Sequence, residues 1–157
     1  MQIKLGQKAP DFTLYDSAKK KVILSSFEGT KNVLLLFFPL AFTSTCTTEL
    51  CIIRDDMPGY QNDNLQVLGI SVDSVYTLAK YAEEQRYSFP LLSDFNKDVS
   101  QLYGSFYTLF GSMDMSGVGK RSAFIIDKSG IIKYAEVLEN AAEIPDFAAI
   151  DLILKSL

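Results

Sequence analysis

The chain has 157 residues, 48% of them hydrophobic, and a formal charge of −4. That is enough chain for one buried core, so 1–157 is expected to be a single domain. The acidic balance argues against nucleic acid and anionic membrane surfaces as partners. No apolar run approaches the roughly 20 residues needed to cross a bilayer.

There are two cysteines and no histidine. A zinc site would need more ligands of the usual kinds, and no metal or other cofactor is expected. A Ser-His-Asp or Cys-His mechanism has no base within the chain. Met1–Lys8 lacks the apolar segment of a secretory signal, so the expectation is a cytoplasmic protein. Cysteines that matter in that reducing setting are redox-active rather than structural.

Taken in order, Ala9–Tyr15 alternates apolar and polar, Asp16–Lys20 turns, and Lys21–Leu24 returns. This predicts an N-terminal β-hairpin. Ser25–Gly29 reads as a helical turn or loop. Val33–Phe38 is apolar throughout, as in a strand covered on both faces, and Pro39 ends it. From Ser44 the spacing is helical, with Leu50, Ile53 and Met57 on one face and Pro58-Gly59 as the stop.

Leu65–Val72 predicts a second buried strand. Asp73-Ser74 can cap a helix whose apolar face is Val75, Leu78, Ala79 and Ala82. Phe89–Asp94 reads as extended. Asn96 can cap a short helix with Val99, Leu102 and Tyr103 inward, closed by Gly104. Residues 105–120 read as a long surface loop. Ser122–Asp127 and Ile131–Val137 form a hairpin around Lys128–Gly130, and a last helix starts near Pro145, with Phe147, Ile150, Ile153 or Leu154, and Leu157 on its apolar face.

This order predicts an α/β protein of thioredoxin-like fold. A central mixed sheet is flanked by helices, and the helix between Ser74 and Tyr87 is the expected crossover between its halves. The terminal hairpin speaks against a flavodoxin-like sheet.

The chemistry concentrates in Pro39–Cys51. A thiol attacks as thiolate, which needs stabilisation, and a helix's first turn offers unpaired N–H groups and the positive end of its dipole. Cys46 falls in that turn if Thr43, Ser44 or Thr45 is the cap. Thr43 sets a hydroxyl one turn before the sulfur. The plain alternative is that Cys46 and Cys51 are small core residues.

Pro39, Thr43 and Cys46, spaced Pro-x-x-x-Thr-x-x-Cys after an apolar strand, resemble the active-site signature of the peroxiredoxin family. Ala9-Pro10-Asp11-Phe12 is similar to that family's opening. Arg121–Asp127 followed by Gly130-Ile131-Ile132 is similar to its Arg-bearing strand. Pro39–Thr43 resembles the AhpE-like branch, whereas a second cysteine five positions after the first resembles the BCP/PrxQ branch.

The resemblance implies a thiol-dependent peroxidase acting on hydrogen peroxide or organic hydroperoxides. Cys46 would be the peroxidatic cysteine and pass through a sulfenic acid. Pro39 would shield the pocket, Thr43 would hydrogen-bond peroxide and thiolate, and backbone N–H groups at Thr45 and Cys46 would hold the attacked oxygen. Arg121 would face the thiolate and Glu49 would orient Arg121; a solvated helix charge is the other reading of Glu49. Arg54 is read as solvent-facing.

Cys51 would be the resolving cysteine. On an intact helix, i and i+5 are offset by ~7.5 Å along the axis and ~140° around it, whereas a disulfide needs Cα atoms within about 7 Å. Resolution would therefore require residues 43–52 to unwind. If Cys51 stays in the core, the enzyme is one-cysteine. A thioredoxin-like or other thiol reductant and a homodimer are expected partners. Two rival functions stay open: a thioredoxin-type disulfide oxidoreductase, and a non-catalytic redox sensor.

Overall fold

The computed structural model describes residues 3–56 and 64–157. Met57 and Pro58-Gly59, assigned above to a helix face and its stop, lie outside the described residues. The strands are β1 (Thr13–Asp16), β2 (Lys21–Ile23), β3 (Asn32–Phe37), β4 (Leu65–Ser71), β5 (Leu91–Ser93), β6 (Phe106–Tyr107), β7 (Val118–Gly119), β8 (Ser122–Ile126) and β9 (Ile132–Val137). The described α-helices are α1 (Ser44–Asp55), α2 (Val75–Gln85), α3 (Asp98–Leu102) and α4 (Phe147–Lys155). A 3₁₀ turn spans Leu24–Phe27.

Seven strands form one mixed sheet in the order β2-β1-β5-β4-β3-β8-β9. β3, β4 and β5 run parallel, β8 is antiparallel to β3 and β9 antiparallel to β8, and the N-terminal hairpin β1-β2 pairs onto β5. Every residue of β3 is buried, which is why its sequence shows no alternation. Its side chains divide by parity. Leu34 and Leu36 face the layer holding α1, α2 and α4, with Leu50, Ile53, Leu78 and Ile150. Val33, Leu35 and Phe37 face the other layer, with Phe12, Leu24, Val99, Tyr103 and Phe124. Truncating one of these fully buried leucines to Ala costs about 2–5 kcal/mol.

Several expectations change. α2 links β4 to β5, which lie side by side; the passage from β5 across to β8 is made by α3 and residues 105–120. That stretch carries a two-stranded ribbon, β6-β7, with Ser105 and Val118 buried, rather than a plain surface loop. In α2, Tyr81 is buried where Ala79 is exposed, because residue 81 lies three positions after the buried Leu78 on the same helix face and residue 79 is turned away from it.

The buried Asp94 carboxylate, not Asn96, accepts from the Val99 and Ser100 N–H groups at the start of α3. Leu102 remains 37% exposed. Asp146 caps α4 by accepting from Ala149 N–H, which puts Pro145 just outside the helix, and Leu157 is exposed.

Candidate active site

The site is built where β3 hands the chain to α1. The Phe38 N–H still donates to Ile70 O, as if continuing the strand. Pro39 is buried directly beyond it. The connection is short and contains one strained residue, Phe42, at φ 69°, in the left-handed region that bulky side chains avoid. Two hydrogen bonds fix the bend. The Ala41 N–H donates to Asp73 Oδ2 at 2.8 Å, and the Thr43 hydroxyl donates to Leu40 O at 2.9 Å.

Asp73 is itself held by the Ser71 hydroxyl at 2.6 Å. The helix-cap role expected for Asp73-Ser74 falls to Ser74, which accepts from Thr77 N–H. Asp73 instead reaches 32 residues back along the chain. Sequence reasoning did not find this link between the first two crossover loops; an acid just past a buried strand was its only signal.

Thr43 is the N-cap of α1 by backbone conformation, and no side-chain bond caps the helix. Cys46 therefore lies in the first turn, where N–H groups have no partner within the helix. Its side chain is fully buried. Thr45 precedes it in the same turn. The Thr43 hydroxyl proton is engaged by Leu40 O, not by the Cys46 sulfur, a difference from the expectation above.

Arg121, immediately before β8, brings the charge. It is only 2% exposed. Its Nη2 donates to Cys46 Sγ at 3.3 Å, its Nη1 to Glu49 Oε2 at 2.7 Å, and its Nε to Ala141 O at 3.1 Å. The antiparallel register of β8 on β3 sets Ser122 opposite Phe37, which carries Arg121 to the end of β3 from which the site departs.

Glu49 sits one turn after Cys46 and is fully buried, so it is not a solvated helix charge. Burial pushes its carboxyl up to about 7; Arg121 opposes that shift by charge and hydrogen bond, and Glu136 adds to it. Its Oε1 has no hydrogen-bond partner among the described residues.

Cys51 lies on another face of α1, half-buried against α2 and the segment after it. Its sulfur is 3.7 Å from Gln85 Oε1 and 3.6 Å from the Tyr87 hydroxyl. Both cysteines are free thiols in a continuous helix. The structure thus brings together Cys46, Arg121 and Glu49, sets Thr43 and Thr45 at the same turn with Pro39 buried in the connection before it, and keeps Cys51 apart. Arg54 is outside this group, bonded to Asp55 and to Gln85 O.

A buried thiol in a helix's first turn is thus faced by a buried arginine on a thioredoxin-like sheet. The chain belongs to the AhpC/TSA family, whose model matches residues 5–135. It is 44% identical over 137 residues to the alkyl hydroperoxide reductase E of Mycobacterium tuberculosis, covering 86% of each chain. It is 36% identical over 143 residues to the chloroplastic 2-Cys peroxiredoxin BAS1 of Arabidopsis thaliana, covering 85% of this chain and 52% of that one.

Among solved structures, peroxidoxin BcpB from Mycobacterium tuberculosis superposes with a TM-score of 0.85 at 30% identity, over 99% of each chain. A Xylella fastidiosa PrxQ mutant shares the fold, with a TM-score of 0.86 at 23% identity over 99% of this chain and 98% of the other. The protein is accordingly a peroxiredoxin and a peroxidase.

Proposed function

We propose that Cys46 is the peroxidatic cysteine and that it reduces hydrogen peroxide or organic hydroperoxides through a sulfenic acid. The observation that carries this reading is the 3.3 Å contact from Arg121 Nη2 to Cys46 Sγ. A guanidinium is permanently charged and planar, so it can face a thiolate with one nitrogen while Glu49 holds another. The thiolate attacks one peroxide oxygen in line with the O–O bond. A sulfur–oxygen bond forms, the O–O bond breaks, and water or an alcohol leaves with a proton.

The first-turn N–H groups of Thr45 and Cys46 hold the attacked oxygen. Thr43, its own proton given to Leu40, accepts the peroxide O–H. Pro39 excludes water from that side. Glu49 fixes the guanidinium.

Cys51 is the resolving cysteine in this reading. Its thiol displaces hydroxide from the Cys46 sulfenic acid, and the thiol proton leaves with it as water. The helical offset of the two sulfurs makes unwinding of α1 a required step. Thr45, Thr47 and Thr48, poor helix formers, weaken that first segment. A thioredoxin-like thiol protein in the cytoplasm then reduces the disulfide. Two copies pair through loops near the site, for which exposed Leu109 (59%) and Met113 (74%) supply apolar surface, and light scattering measures that association.

Intact mass after one equivalent of peroxide tests the assignment. Wild type should lose two hydrogens, Cys51→Ser should hold one added oxygen, and Cys46→Ser should do neither. Undiminished peroxide turnover by Cys46→Ser would overturn it.

A further inference from the structure

Thr47 and Cys51 are four residues apart, on one face of α1. Both are tied to the same pair of tyrosines. The Thr47 hydroxyl lies 3.0 Å from the Tyr81 hydroxyl, the Tyr87 hydroxyl donates to Tyr81 at 3.4 Å, and the Cys51 sulfur lies 3.6 Å from the Tyr87 hydroxyl. Gln85 Oε1 completes the row at 3.7 Å from that sulfur. The two rings meet edge to face with centroids 5.3 Å apart, and Tyr81 is fully buried. Tyr81 also packs on the strained Phe42, at 4.9 Å between centroids. One row of hydroxyls thus runs from the residue beside Cys46 to the sulfur of Cys51, and its anchors belong to α2 and the two residues after it.

We infer that Tyr87 and Gln85, with Tyr81 behind them, are positioning residues that latch Cys51 against α2 and set how fast it resolves Cys46. The inference rests on Cys51 being the resolving cysteine. Gln85 Oε1 can only accept a hydrogen bond, and Tyr87 gives its own proton to Tyr81, so the contact of either with Cys51 uses the one thiol proton, which they share. That proton is lost when sulfur bonds to sulfur. The contact therefore stabilises the wound, thiol-bearing helix and has no counterpart in the disulfide form.

Closure forms the S–S bond and breaks the S–O bond of the sulfenic acid. The Cys46 sulfur is reduced, the Cys51 sulfur is oxidised, and hydroxide and the thiol proton leave as water. Before it can occur, the row must open and α1 must unwind. The tighter the latch, the longer the sulfenic acid survives and the greater the chance that a second peroxide carries it to sulfinic acid.

Tyr87→Phe removes one hydroxyl and keeps the ring. Gln85→Ala, at the end of α2, removes the other partner without touching the core, and serves as the second variant if the first folds poorly. In rapid-quench intact-mass experiments on the full chain, addition of oxygen and loss of two hydrogens are timed separately. The oxygen-addition step should keep its rate in both variants. Disulfide closure should accelerate about three- to tenfold, the size expected for one weak hydrogen bond, and sulfinic acid formed in excess peroxide should fall. A purely structural role would slow both steps or neither. Closure at the wild-type rate or slower in both variants, while wild type forms the disulfide, overturns the latch alone. If wild type holds added oxygen and never closes, the resolving role of Cys51 fails, and the latch with it.

Discussion

The two faces of α1 that carry its cysteines are made of opposite materials. Cys46 faces a charged, sealed site: a guanidinium at 3.3 Å, a carboxylate beyond it, and no solvent. The hydrogen-bond partners of Cys51 are neutral, one phenol and one amide, and it is half-exposed. On the reading proposed above, charge at the first face prepares sulfur to attack, and weak bonds at the second hold sulfur in place yet release it within a catalytic cycle. One helix serves two chemistries because its faces pack on different parts of the fold: residues 121 and 141 on one side, and α2 with the residues after it on the other.

The contrast can be broken at several points. Cys46→Ser should produce the largest effect, reducing peroxide consumption to the background rate. Arg121→Lys should come next. Lysine keeps the charge but cannot send two fixed donors to Cys46 and Glu49 at once, so a fall of about 10²-fold in the peroxide step is expected by stopped flow. Asp73→Asn should be milder. It weakens the bond that holds Ala41, and the melting temperature should drop by the equivalent of about 1–2 kcal/mol, with a smaller loss of rate.

The subtlest test concerns pH. The folded-state carboxyl of Glu49 titrates near 7, above the ordinary 4.5 of an exposed glutamate, because burial disfavours its charge. Between those values the folded state binds more protons than the unfolded one. Stability contributed by protonated Glu49 is therefore present below about 4.5 and is lost as pH rises through about 7. Thermal unfolding from pH 5 to 8 should show this downward slope, and Glu49→Gln should flatten it. An equal slope in both proteins would assign it to another group.

What could be read from the sequence follows a physical pattern. β3 was legible because burial on both faces leaves an unbroken apolar run. Cys46 was legible because a strand stop, a cluster of cap-forming residues and the helical period converge there. Arg121 was legible only through family resemblance, since nothing local distinguishes it from an arginine at the mouth of any strand. Asp73 was misassigned because a carboxylate near a helix start suits a cap, and only the folded loops bring Ala41 to it. Asp94 displaced Asn96 for a related reason: a buried side chain from a neighbouring strand end can cap a helix from outside its sequence window. Tyr81 and Tyr87 were assigned no role from the sequence, and their hydroxyl row exists only once α1 lies on α2.

Arg121 stands 75 positions after Cys46 and joins the sheet only with β8. At a synthesis rate of about 5–20 residues per second, the chain exists for several seconds with its thiol made and its cation not yet made. During that interval the sulfur lacks the guanidinium that it faces in the folded structure. On the proposed reading, a newborn polypeptide reacts slowly with peroxide until Arg121 is made, and that delay is set by the order in which its residues leave the ribosome.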